Sequence, residues 1–173
     1  MRRKKNYALD NGSFTDWHAK WRIKRNRWSL DPGFFAGIAH LMVARRSTSI
    51  VELGAGIGRY LLAFRAIGFE AWGFDGIPDI DEMTDGIVTW CDLSRPCDIP
   101  SHQWCLSSEV GEHIPAEFED VYAANVARSC ERGAVISWAT HEQKGGLHVN
   151  CKSPEEVRGL LYPHGLVWDE PWS

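Results

Sequence analysis

The sequence predicts an α/β protein: a doubly wound, mostly parallel sheet of about six strands with helices on both faces. Two observations carry this. Short apolar runs alternate with stretches in which apolar residues recur at helical spacing. Glycine, proline and aspartate stand at the junctions between them, where turns and helix caps are needed. Strands that alternate with helices pair in parallel through right-handed crossovers, and such sheets bind ligands at the carboxyl ends of their strands.

The elements follow in order. Asp31-Pro32 reads as a helix start, with Phe34, Phe35, Ile38, Leu41 and Met42 at helical spacing behind it. Ser49–Leu53 reads as strand one and ends in Gly54, Gly56 and Gly58. Ile57, Tyr60, Leu61, Phe64 and Ile67 mark the next helical face, closed by Gly68. Ala71–Phe74 is strand two, ending at Asp75, and Ile87–Trp90 is strand three, ending near Asp92. Gln103–Ser107 is strand four. Pro115 opens a helix with Phe118, Val121, Tyr122 and Val126 inward, and Ala134–Trp138 is strand five. Ser153-Pro154-Glu155-Glu156 is a capping box. Leu166–Trp168 reads as a sixth strand.

Length and composition agree. A chain of 173 residues with 44% apolar and 24% charged side chains is ordinary globular usage and suits one domain. No apolar run approaches the roughly 20 residues of a membrane span, so no membrane partner is expected, and no leader is expected either. Five cysteines, Cys91, Cys97, Cys105, Cys130 and Cys151, show no CxxC spacing and read as reduced thiols of a cytoplasmic protein. Charge is uneven. Residues 1–27 carry nine basic against two acidic side chains (+7), and the remaining ten basic and 21 acidic side chains leave −11. Residues 1–30 therefore read as a basic aromatic arm or helix, and 31–173 as the folded domain. Trp17, Trp21 and Trp28 interleave with Lys20, Arg22, Lys24, Arg25 and Arg27, a pattern suited to stacking bases and neutralising phosphate. RNA is a candidate partner on that ground. The alternative is a helix over 16–28 that packs its tryptophans on the body and covers the ligand site.

The turn Glu52-Leu53-Gly54-Ala55-Gly56-Ile57-Gly58 lets the backbone approach a ligand where a Cβ would clash. Asp75 is placed to accept from both hydroxyls of a ribose. Asp92, with the following N–H of Leu93, is placed to read an adenine edge. A negative Glu52 repels a pyrophosphate but suits a ligand with an amino group and a sulfonium, which favours S-adenosylmethionine (SAM) over NAD.

Together, Val51–Gly58, Gly73-Phe74-Asp75, Cys91-Asp92-Leu93 and Ser108–Pro115 resemble a class I SAM-dependent methyltransferase, of the type 11-like group, from about Asp31 to Trp168. The resemblance implies a Rossmann-like sheet with SAM across strands one and two. It implies cofactor contacts at Glu52, Gly54, Ala55, Gly56, Gly58, Asp75, Gly76, Asp92, Leu93 and Ser108. The family's usual antiparallel seventh strand is not expected, because few residues follow Trp168. The sheet edge this leaves is a site for a homodimer.

Glu109, Glu112 and His113 stand at i, i+3 and i+4 and would share a face on one helical turn. Three readings stand. The group caps the following helix; or His113 is a general base toward an acceptor hydroxyl; or the carboxylates and imidazole hold Mg²⁺ or Mn²⁺. The last is similar to the metal cluster of small-RNA 2′-O-methyltransferases and ubiquinone-pathway O-methyltransferases. That similarity implies a set of Glu109, Glu112, His113 and His148, with His141 in reserve. The expected activity is methyl transfer from SAM to a nucleophile, first a hydroxyl of a small molecule or an RNA ribose, with the nitrogen of a small amine left open. A SAM- or nucleotide-binding module without chemistry, such as an RNA-binding partner subunit, is the alternative.

Overall fold

The computed structural model describes residues 9–15, 19–20, 29–143, 145 and 147–170. Helix α1 (Pro32–Ala44) begins where the sequence says it must. The Asp31 carboxylate accepts from the N–H groups of Gly33 and Phe34 at 2.8 and 3.0 Å, and Pro32 takes the first helical position, where no N–H is needed. The chain then alternates through β1 (Ser49–Leu53), α2 (Arg59–Ala66), β2 (Glu70–Asp75), α3 (Ile80–Met83), β3 (Thr89–Trp90) and β4 (His102–Ser108). Two 3₁₀ turns, Gly111–His113 and Ala116–Phe118, lead into α4 (Glu119–Arg128) and β5 (Cys130–Ser137). Helix α5 (Pro154–Leu161) starts at a complete capping box, Ser153 and Glu156 each bonding the other's backbone N–H.

The five strands pair in parallel in the order β3-β2-β1-β4-β5. The chain winds outward from β1 to β3, then returns to add β4 and β5 on the other side. The order reverses between β1 and β4, and a crevice opens there at the carboxyl ends of the strands. Both faces are covered. Ile50 packs with Ile38, Leu41 and Met42 of α1 and Leu61 and Phe64 of α2. Val51 and Leu53 point the other way, onto Tyr122 and Val126 of α4.

Three elements differ from expectation. β3 is only Thr89–Trp90, since Ile87 and Val88 are drawn into packing beneath the glycine turn instead. Leu166–Trp168 does not form a strand. Gly165 turns the chain with φ 87°, Leu166 packs against the helices, and the Arg158 guanidinium sits over the Trp168 ring at 3.9 Å. β5 is therefore an edge strand among the described residues. Cys91 and Cys97 are not reduced thiols: the 91–97 loop folds back, brings their Cα atoms to 6.6 Å and joins them in a disulfide. Cys105, Cys130 and Cys151 are free. No helix among the described residues is long and apolar enough to cross a membrane. Of the basic aromatic arm, Trp17, Trp21, Trp28, Arg22, Lys24, Arg25 and Arg27 lie outside the described residues.

Candidate cofactor and acceptor site

The crevice holds a cavity of about 500 Å³. Its first end is built by the turn after β1. The N–H groups of Gly54 and Ala55 both donate to the Phe74 carbonyl, which locks the turn onto β2. Gly54 and Gly56 have φ 78° and 54°, the left-handed region that glycine enters without cost, and a Cβ at Gly54 would overlap the Val110 side chain. The Gly56 N–H donates to Asp75 Oδ2 at 2.7 Å, and the Ile77 N–H donates to Oδ1 at 2.9 Å. Burial pushes the Asp75 carboxyl up to about 6, with the N–H groups of Gly56, Ile77 and Gly76 holding it lower than burial alone would. Glu52 is buried, and its Oε2 has no hydrogen-bond partner. Burial, and then the Asp75 charge, raise its carboxyl well above the ordinary range. An orphaned buried carboxylate oxygen is costly unless a ligand meets it.

Of the residues expected to bind cofactor, Glu52, Gly54, Ala55, Gly56, Asp75, Gly76, Leu93 and Ser108 line this cavity. Gly58 and Asp92 are not among its lining residues. Gly58 is the residue before α2 and is packed on Ile87 and Val88. The Asp92 carboxylate is turned into its own loop, accepting from Ser94 N and Oγ at 3.1 and 2.7 Å. Two cavity features had no clear sequence signal. Arg59 and Tyr60 reach the cavity from the first turn of α2, and Gly12, Ser13 and Phe14 cross it from the N-terminal side.

The other end follows β4. Glu109, Glu112 and His113 do not share a helical face. The only helical geometry here is the short turn Gly111–His113, and Glu109 precedes it with φ 57°. Its carboxylate accepts from Ser137 Oγ at 2.8 Å, which draws it toward the end of β5. The structure instead gathers Glu112, His113 and His148, whose ligand atoms lie within 4.8 Å of one another. Glu112 is fully buried with neither carboxylate oxygen hydrogen-bonded. Burial pushes its carboxyl up to about 7; the nearby backbone N–H groups of Glu112 itself and Ala139, and the His148 ring, hold it lower than burial alone would, while the Glu109 charge raises it. His113 Nδ1 lies 3.0 Å from the Leu147 carbonyl, and His148 Nδ1 lies 2.7 Å from that of Gln143. Each Nδ1 therefore carries the proton and donates, which leaves Nε2 as the basic nitrogen of each ring.

The loop after β5 is shaped to bring His148 in. Val149 and Asn150 donate their N–H groups to the Glu112 carbonyl, at 2.8 and 3.0 Å. A Cβ at Gly145 would sit 2.9 Å from the His148 ring. His141 is elsewhere, paired with Glu156 on the surface at 2.6 Å.

No protein-family model and no curated protein matches the sequence. Solved structures do match the fold. Magnesium protoporphyrin IX methyltransferase of Synechocystis PCC 6803, with bound S-adenosylhomocysteine, superposes with a TM-score of 0.66 at 14% identity, over 87% of this chain and 86% of that one. A TehB-like SAM-dependent methyltransferase of Corynebacterium glutamicum gives 0.66 at 17% identity, over 87% and 81%. The 1,6-didemethyltoxoflavin-N1-methyltransferase of Burkholderia thailandensis gives 0.61 at 17%, over 86% and 74%. With the parallel β3-β2-β1-β4-β5 sheet and the glycine turn after β1, this chain has the Rossmann-like fold of the class I SAM-dependent methyltransferases.

Proposed function

We propose that the protein is a SAM-dependent methyltransferase acting on a hydroxyl oxygen. One observation carries the reading: a single cavity has the glycine turn with Glu52 and Asp75 at one end and the Glu112, His113 and His148 group at the other. Bound SAM supplies an electrophilic methyl group on a sulfonium. Glu52, orphaned and buried, accepts from the cofactor's amino group. Asp75 accepts from the ribose hydroxyls. His113, basic at Nε2 and held through Nδ1, takes the proton from the acceptor hydroxyl as the oxygen bonds to carbon and the carbon–sulfur bond breaks.

Glu112, His113 and His148 also fit a divalent ion in chemistry. They offer one carboxylate and two imidazoles, and each imidazole is oriented by a carbonyl on its other nitrogen, as metal-binding histidines are. Mg²⁺ or Mn²⁺ held there would lower the pKa of an acceptor hydroxyl. Glu109 is not part of that set.

A thermal-shift panel tests the assignment. SAM and S-adenosylhomocysteine are expected to stabilise the chain by about 2.7 kcal/mol at a hundredfold excess over Kd, and NAD not at all. The effect depends on pH with a definite sign. Asp75 takes up a proton as pH falls through about 6, so its contribution to the SAM-induced shift shrinks below that pH. The empty chain behaves oppositely. Asp75 binds its proton more tightly folded than unfolded, so stability is lost as pH rises from the ordinary carboxylate range through about 6. Mn²⁺ raising the melting temperature, with EDTA abolishing turnover, favours the ion; no shift and no EDTA effect leaves His113 as the base alone. A chain that binds SAM yet transfers methyl to no nucleophile, oxygen or nitrogen, is the non-catalytic binding module.

A further inference from the structure

The segment Gly12-Ser13-Phe14 is a strap over the cavity, touching both of its ends. Gly12 has φ 89°, and a Cβ there would overlap the His113 carbonyl oxygen. Ser13 lies against Gly76 at the end of β2, so closely that a Cβ on Gly76 would overlap its hydroxyl. The strap is held in a tight turn of its own, Leu9 N–H to Ser13 carbonyl at 2.7 Å and Gly12 N–H to Leu9 carbonyl at 3.0 Å. The Phe14 ring stands edge-on to the His113 ring at 5.3 Å, and His113 in turn is edge-on to His148 at 5.1 Å. Thus the element that covers the ribose end also covers the reacting end.

This arrangement limits what can be methylated. Pockets for drug-sized molecules run about 300–1,000 Å³, so this cavity of about 500 Å³ lies in the lower part of the range for small ligands. Phe14, His113 and His148 together line the other end of the cavity. The strap therefore narrows the approach to His113 and His148 from the N-terminal side. Resting on the methyltransferase reading above, we propose that the acceptor is a small molecule enclosed with the cofactor beneath the strap, and that Gly12 and Phe14 set its size limit. RNA reaching an opened site is the rival outcome.

The test uses the full chain and S-adenosylhomocysteine as the probe. Hydrogen exchange is followed over residues 9–15 with and without the probe, then with a short RNA added. Probe dissociation is timed for the wild type, Gly12→Ala and Phe14→Leu. The proposal expects slower exchange in the strap when the probe is bound, and release faster by roughly tenfold in Gly12→Ala, since contact losses fall mainly on the off-rate. It expects faster release in Phe14→Leu as well, which keeps the test decisive if alanine at Gly12 misfolds, and no effect of RNA on either readout. Bound probe with unchanged strap exchange and wild-type release in both variants overturns it. So does RNA that opens the strap or strengthens probe binding. A wild type that does not bind the probe at all, as seen by calorimetry, instead overturns the cofactor reading on which the proposal rests.

Discussion

Replacing His113 with alanine is expected to slow methyl transfer by on the order of 10²–10⁴, the usual worth of a positioned proton acceptor, while SAM binding weakens far less, by no more than the loss of the Phe14 contact of the strap. The separation follows from position. His113 lies at the end of the cavity proposed for the acceptor, away from the turn after β1 and the end of β2 that are proposed to hold the cofactor. Its companion Glu112→Gln is expected to raise the melting temperature above pH 7 and lower turnover. In the empty chain the Glu112 carboxyl is buried without a partner and pushed up to about 7, so its charged form costs stability above that pH. Single-turnover rates and melting curves on the same preparations check both. A Glu112→Gln chain that melts lower and reacts normally would make the cluster a structural cap.

Gly56→Val is expected to abolish SAM binding in a folded protein. Gly56 sits at φ 54°, where a β-branched residue is a genuine outlier. Its N–H also holds Asp75 Oδ2, at 2.7 Å, so a shift of the turn releases the carboxylate proposed to bind the ribose. Gly56 itself belongs to neither apolar cluster, although its neighbour Ala55 does, so circular dichroism is expected to stay native with at most a lowered melting temperature. Equilibrium dialysis with labelled SAM reads the loss directly. Normal binding would reduce the glycine turn to a plain strand–helix connection.

Much of this was legible in the sequence because it rests on local rules. The Asp31-Pro32 start and the Ser153–Glu156 capping box are backbone chemistry within one turn, and both stand as read. The parallel order follows from alternation and handedness. The acids at strand ends were legible because strand ends are where such sheets bind ligands. What was not legible depends on tertiary contact. Glu109, Glu112 and His113 have the spacing of a helical face, but the positive φ at Glu109 and its bond to Ser137 break the helix before it starts. Leu166–Trp168 has the composition of a strand, yet its residues cover helices and stack under Arg158. Asp92 carries the right side chain at the right place, and Ser94, two residues on, captures it. Nothing in Gly12-Ser13-Phe14 announces a strap, since its partners Gly76 and His113 lie far along the chain.

The most direct test of the central claim is a calorimetric titration of SAM into the wild type and Asp75→Ala at neutral pH. The account predicts binding of one SAM per chain in the wild type. In Asp75→Ala it predicts a loss of roughly 1.5–3 kcal/mol per missing charge-assisted hydrogen bond, or about tenfold or more in Kd. A wild type that binds no SAM, or an Asp75→Ala chain that binds it with unchanged affinity, would contradict the account.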